Sequence, residues 1–107
     1  MAATIAWASA RIDELIEILN DAYWEAGSIA NKDMLFSIIT LLHAEQREMD
    51  KLSIQDHGLA HQPISPDFRE LRPKLNQLRN VLDEVVPRSK SARALERVIP
   101  DVASLLL

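Results

Sequence analysis

Apolar residues recur along this chain at alternating steps of three and four, in four separate stretches. In the first, Ile5, Ala8, Ile12, Leu15, Leu19, Ala22 and Ala26 hold the alternation from Thr4 to Ala26, which stacks them on one face of a helix. Ile16 and Tyr23 widen that face on one side. The second stretch, Asn31 to Asp56, contains neither Gly nor Pro. Its main face is Leu35, Ile38, Leu42, Met49 and Leu52, while Phe36, Ile39 and Ile54 make a second, weaker apolar side. A helix that is apolar on two sides has neighbours on two sides. The third stretch carries Phe68, Leu71, Leu75, Leu78, Leu82 and Val85, and the fourth Ala92, Leu95, Ile99, Val102 and Leu106.

Turn and cap residues divide these stretches. Gly27 suits a helix C-cap, and Ser28 or Asn31 an N-cap for the helix that follows. The link is therefore short, and helices joined by short links pack antiparallel. Gly58 suits a second C-cap, and His57 to Ser65 (HGLAHQPIS) is the one stretch that reads as a true loop. Ser65-Pro66-Asp67 restarts a helix, with Ser as N-cap, Pro in the first turn and an acid at the positive helix end. Pro73 lies opposite the apolar seam, where it bends the third helix or marks a fresh start. Pro87 closes that helix, Ser89 or Ser91 caps a fourth, Pro100 kinks it, and Leu105 to Leu107 form an apolar end. No strand pattern or internal repeat occurs. The expected fold is all-α: one domain over residues 1–107, an antiparallel four-helix bundle with helices at about 4–26, 31–56, 66–86 (kinked near Pro73) and 90–106.

Composition narrows the function classes. The 107 residues are 48% hydrophobic and 26% charged with two Gly, too apolar for a disordered chain. There is no Cys, which removes disulfides and thiolate chemistry. No apolar run approaches the roughly 20 residues of a membrane span. The opening MAATIAWASA ends like a signal cleavage site but lacks a basic start, so it is read as helix and the protein as cytoplasmic. The net charge of −4 is uneven: residues 1–58 hold ten acids and four bases, residues 59–107 six acids and eight bases. The expectation is that acidic and basic helices face one another within the bundle, with no nucleic acid or membrane as partner.

Glu45 is the oddity. It extends the second helix's main seam between Leu42 and Met49, and burying a bare carboxylate costs several kcal/mol. It is therefore a buried polar site: paired with an Arg or backbone groups, or else a metal ligand or general base. No Glu-x-x-His pair accompanies it, so no bundle metal site, catalytic residue or cofactor is expected. His57 and His61 stand four apart but flank Gly58, and they are read as loop histidines. There is no Gly-x-Ser-x-Gly elbow and no Gly-rich phosphate loop.

Glu14-x-x-Glu17 followed by Glu45-x-x-Glu48 resembles the paired acid motifs of the MazG-like nucleotide pyrophosphohydrolases. The resemblance implies an all-helical enzyme holding magnesium against a nucleoside triphosphate, with acids from the first two helices. The chain departs from that pattern in having Glu48 where the family has Asp. His43, on a helix of a four-helix domain, is similar to the histidine of phosphotransfer modules. Those place a Lys and a Gly soon after it; Ala44, Glu45, Gln46 and Arg47 stand here, and a surface or interfacial histidine is the reading taken.

Trp7 and Trp24 fall outside the first seam. Large aromatics off a seam anchor interfaces, because they bury much area for little lost entropy. With Phe36, Ile39 and Ile54 they form the expected partner surface. The expected function is a non-enzymatic interaction module, a homodimer or a binder of a protein partner. The alternatives are the magnesium–nucleotide enzyme and a binder of a small apolar ligand beside the Ala-lined seam (Ala8, Ala22, Ala26).

Overall fold

The computed structural model describes residues 3–52, 54–82 and 89–106, with backbone alone at residues 54, 89 and 90. Among the described residues there are four helices and no strand: α1 (Ile5–Glu25), α2 (Ile29–Asp50), α3 (Leu71–Asn80) and α4 (Ser89–Ala103). Helix α1 packs against α2 on one flank and α4 on the other, and α3 closes the square against α2 and α4. This is the expected four-helix bundle. Its neighbour order, which the seams alone leave open, follows the chain around the square.

The seams go where their spacing sends them. Every α1 seam residue from Ile5 to Ala26 is buried, as are Leu35, Ile38, Leu42 and Met49 of α2. Phe68, Leu71, Leu75, Leu78 and Leu82 meet Ala92, Leu95, Val98, Ile99, Val102 and Leu106 in the same core. No described helix is long and apolar enough to cross a membrane.

Of the two candidate caps for α2, Ser28 serves: its Oγ accepts from the Asn31 N–H at 3.1 Å. Thr4 caps α1 in the same way, its Oγ1 accepting from the Trp7 N–H at 3.1 Å. Ser28→Ala should lower unfolding stability in urea by about 1 kcal/mol. Asn31→Ala, which leaves the cap in place, should lower it by less than half as much.

Several boundary details differ from expectation. Neither glycine takes positive φ. Ala26 already leaves α1 extended (φ −63°, ψ 134°) so that Ser28 can reach its capping geometry, and Gly27 has no left-handed turn to make. Helix α2 ends at Asp50 instead of running to 56; the Lys51 and Leu52 N–H groups tighten onto Glu48 and Met49, and a 3-10 turn spans Ile54–Gly58. The cause is tertiary. The Ile5 N–H donates to the Leu59 carbonyl at 2.9 Å, the His61 N–H to Ala3 at 2.7 Å, and Thr4 and Ala60 form an isolated antiparallel bridge. Six more helical residues would carry the chain about 9 Å further along the axis, away from those partners.

Helix α3 makes a fresh start at Leu71 after a 3-10 turn at Phe68–Glu70. Pro73 therefore falls in its first turn, where a missing N–H loses nothing. Ser91 lies within α4, after its described start, and is no cap; its hydroxyl donates to Glu25 Oε1 at 2.9 Å. Pro100 sits inside α4 on its exposed side. The expected run of the third helix to residue 86 is cut short: α3 ends at Asn80, where the Val81 N–H turns back to the Leu78 carbonyl at 3.2 Å. Val85 and Pro87 lie outside the described residues.

Candidate functional site

Glu45 is fully buried, with 0% of its surface exposed. The loop supplies everything that holds it there. In Gln62-Pro63-Ile64-Ser65-Pro66 the two prolines have no N–H to give, and each disfavours helix in the residue before it. The amides of Ile64 and Ser65 are left without helix or strand partners, and both turn to the carboxylate. The Ile64 N–H is shared between Oε1 (3.1 Å) and Oε2 (2.9 Å), and the Ser65 N–H donates to Oε1 at 2.7 Å. His61 Nε2 lies 2.8 Å from Oε2, its side chain equally sealed from solvent. Phe68 presses on the His61 ring in an edge-to-face contact, centroids 5.9 Å apart.

Burial by itself would raise the Glu45 carboxyl, but the His61 hydrogen bond and the Ser65 and Ile64 amides outweigh it and hold the group below its ordinary range. Chemically the pair is a latch. The carboxylate is saturated by donors, and neither it nor the imidazole has solvent-exposed surface. It ties the C-terminal part of α2 to the loop, and through the His61 N–H and Ala3 to the start of α1.

His61 lies in the loop, as expected, but its burial and its pairing with Glu45 were not foreseen. Its Nδ1 has no partner among the described residues. The available signal was Glu45 itself: an inward carboxylate requires donors, and the proline-flanked loop offers them. The partner is histidine with backbone amides, and no Arg.

Of the acids that resemble the pyrophosphohydrolase motif, Glu14, Glu45 and Glu48 have other partners, while Glu17 is exposed on α1. Glu14 contacts Arg11 at 3.1 Å and Arg97 of α4 at 3.2 Å, and Glu48 contacts Lys51 at 3.0 Å. Among the described residues no three Asp, Glu or His side chains are grouped to hold a metal ion.

A second site lies on the outer face shared by α1 and α2. Asn20, Tyr23 and Trp24 of α1 and Phe36, Ile39, Thr40, His43 and Arg47 of α2 line an open groove of about 490 Å³. Trp24 is 80% exposed and Phe36 61%, while Ile39 is buried in the groove's floor. Lys32 orders the aromatic end: its ammonium donates to the Tyr23 carbonyl and lies over the rings of Tyr23 (4.6 Å) and Trp24 (5.6 Å). Tyr23 and Trp24 themselves meet edge to face at 5.4 Å. Of the expected partner surface, then, Trp24, Phe36 and Ile39 come together. Trp7 does not join them: it is 38% exposed on another flank of α1, with the Arg11 guanidinium 5.9 Å from its ring. The Ile54 side chain lies outside the described residues. The Ala-lined stretch of α1 (Ala8, Ala22, Ala26) is buried in the core, and the groove opens beside it on the flank.

Against known proteins, no family model, curated protein or solved structure matches the chain.

Proposed function

We propose that this chain is a non-enzymatic interaction module that self-associates through the α1–α2 face. The observation that carries the reading is the pair Trp24 and Phe36, both largely exposed on one groove. Covering apolar area yields about 25 cal/mol per Å², and aromatic anchors of this kind dominate interface energetics. Trp24 is already held by Lys32 and Tyr23, so little side-chain freedom remains to be lost on docking. The magnesium–nucleotide alternative has less in its favour, because Glu45 is saturated by the loop and Glu14 and Glu48 are matched by bases.

Light scattering tests the reading. As concentration rises from low micromolar towards millimolar, the mass should climb from 12.1 kDa towards twice that value. The double variant Trp24→Ser, Phe36→Ser should stay at the single-chain mass with its melting temperature nearly unchanged, since both side chains are exposed. A wild-type chain that remains monomeric throughout overturns the proposal.

A further inference from the structure

The groove between α1 and α2 has two unlike ends. Along α2, Phe36 stands at one end, Ile39 and Thr40 follow, and His43 and Arg47 close the other. The helical rise places His43 about 10 Å beyond Phe36, and Arg47 about 6 Å beyond His43. Tyr23 and Trp24 belong to the Phe36 end, because Lys32, one turn before Phe36, lies over both rings. That end is aromatic, and its Tyr23 and Trp24 rings are already ordered edge to face. Ile39 is buried in the floor, and Asn20 and Thr40 add an amide and a hydroxyl. The far end is basic. His43 and Arg47 are both exposed, one turn apart on the same side of the helix. Among the described residues neither has an ion-pair partner, and no Asp or Glu lines the groove. Lys32 does not line it either, and its ammonium is taken by the Tyr23 carbonyl.

We infer that the groove binds a small amphipathic carboxylate, an acid group carried on an apolar body about 10 Å long, and that this ligand displaces the second copy. The carboxylate sits at Arg47, whose fork of N–H donors matches a carboxylate in geometry and charge. His43 supplies a further ring N–H to the same group. The body lies back over Ile39, and an aryl end meets the rings of Trp24 and Phe36. A cavity of about 490 Å³ falls within the range of small-molecule sites, which are mostly apolar with a few placed polar groups. The charge requirement follows from the basic end: a neutral compound of the same shape covers the aromatics but leaves the guanidinium and imidazole unmatched. Ligand and second copy need the same two side chains, Trp24 and Phe36, so one excludes the other. Displacement rests on the self-association proposed above; the binding itself does not.

Trp24 reports on its own groove once Trp7, on another flank, is replaced. In Trp7→Phe at low micromolar concentration, ω-phenylhexanoate should change the Trp24 emission saturably, and ω-phenylhexanol, the same body without the charge, should bind about tenfold more weakly. Arg47→Gln should weaken the acid about tenfold and leave the alcohol unchanged. No saturable change, equal binding of acid and alcohol, or an Arg47→Gln variant that binds the acid as tightly as before overturns the site and leaves self-association standing. Displacement is read by light scattering at a concentration where the wild type is dimeric: saturating ω-phenylhexanoate should return the mass towards 12.1 kDa. A dimer that keeps its mass with the acid bound overturns displacement and the second copy's use of this groove. Binding to a wild type that is monomeric throughout overturns self-association and leaves the carboxylate site.

Discussion

Glu45→Ala is expected to remove about 3–5 kcal/mol of folding stability, the usual cost of breaking a buried, hydrogen-bonded charge pair from one side. Small domains have only about 5–15 kcal/mol in all, so this one side chain decides whether the bundle folds securely. Truncation leaves the buried Ser65 amide and His61 Nε2, and the part-buried Ile64 amide, without an acceptor, and each buried group so orphaned costs about 1–3 kcal/mol. Glu45→Gln keeps the shape and one acceptor oxygen but turns an NH₂ towards other donors, so it should lose less than Ala and still more than 1 kcal/mol. Urea unfolding at neutral pH measures both, and a loss under about 1 kcal/mol for Ala contradicts the latch.

Acid adds a second readout. Because the folded carboxyl lies below its ordinary value of 4.5, the unfolded chain takes up the proton first as pH falls. The stabilisation is whole above that value, shrinks as pH drops below it, and is gone once pH has passed the folded value. The wild type should therefore lose stability more steeply than Glu45→Gln across that acid window, and the two should converge at its lower end. Parallel curves would show that Glu45 titrates alike folded and unfolded.

Phe68→Ala should cost a further 3–5 kcal/mol or so, the range for deleting a buried phenyl ring. Phe68 is fully buried at the head of the turn before α3, packed edge-on to His61. Its removal opens a cavity beside the latch as well as in the core. The loss should therefore be non-additive with Glu45→Gln, by about 0.5 kcal/mol or more, as for residues sharing partners. Additive losses in a double-mutant cycle would mean that the ring supports the core without steadying His61.

The legible part of this protein is what depends on neighbours three and four apart. The seam of α1 is buried from Ile5 to Ala26 as spaced, and Leu71, Leu75, Leu78, Leu95, Ile99 and Val102 follow suit. Glu45 could be read as inward for the same reason, since helical periodicity places a residue without regard to its polarity. His61 could not. It lies 16 residues from Glu45 in a segment with no period, and its burial depends on the chain folding back to Ala3. The end of α2 was hidden likewise: nothing between Asn31 and Asp56 forbids helix, and what stops it is a set of hydrogen bonds to residues at the other end of the sequence. Trp7 and Trp24 both stood off the seam by spacing. The positions of α2 and Lys32 gave each its surroundings, one beside Arg11 and the other beside Phe36.

Local order alone dictated four amphipathic helices and one carboxylate aimed inward, because backbone propensity and the pitch of a helix act within a turn or two. Tertiary packing decided which helix lies beside which, where α2 stops, and what meets Glu45. It also brought Trp24 and Phe36 to one groove. These are contacts between residues far apart in the chain, and their free energy exists only once the intervening segments have folded against one another.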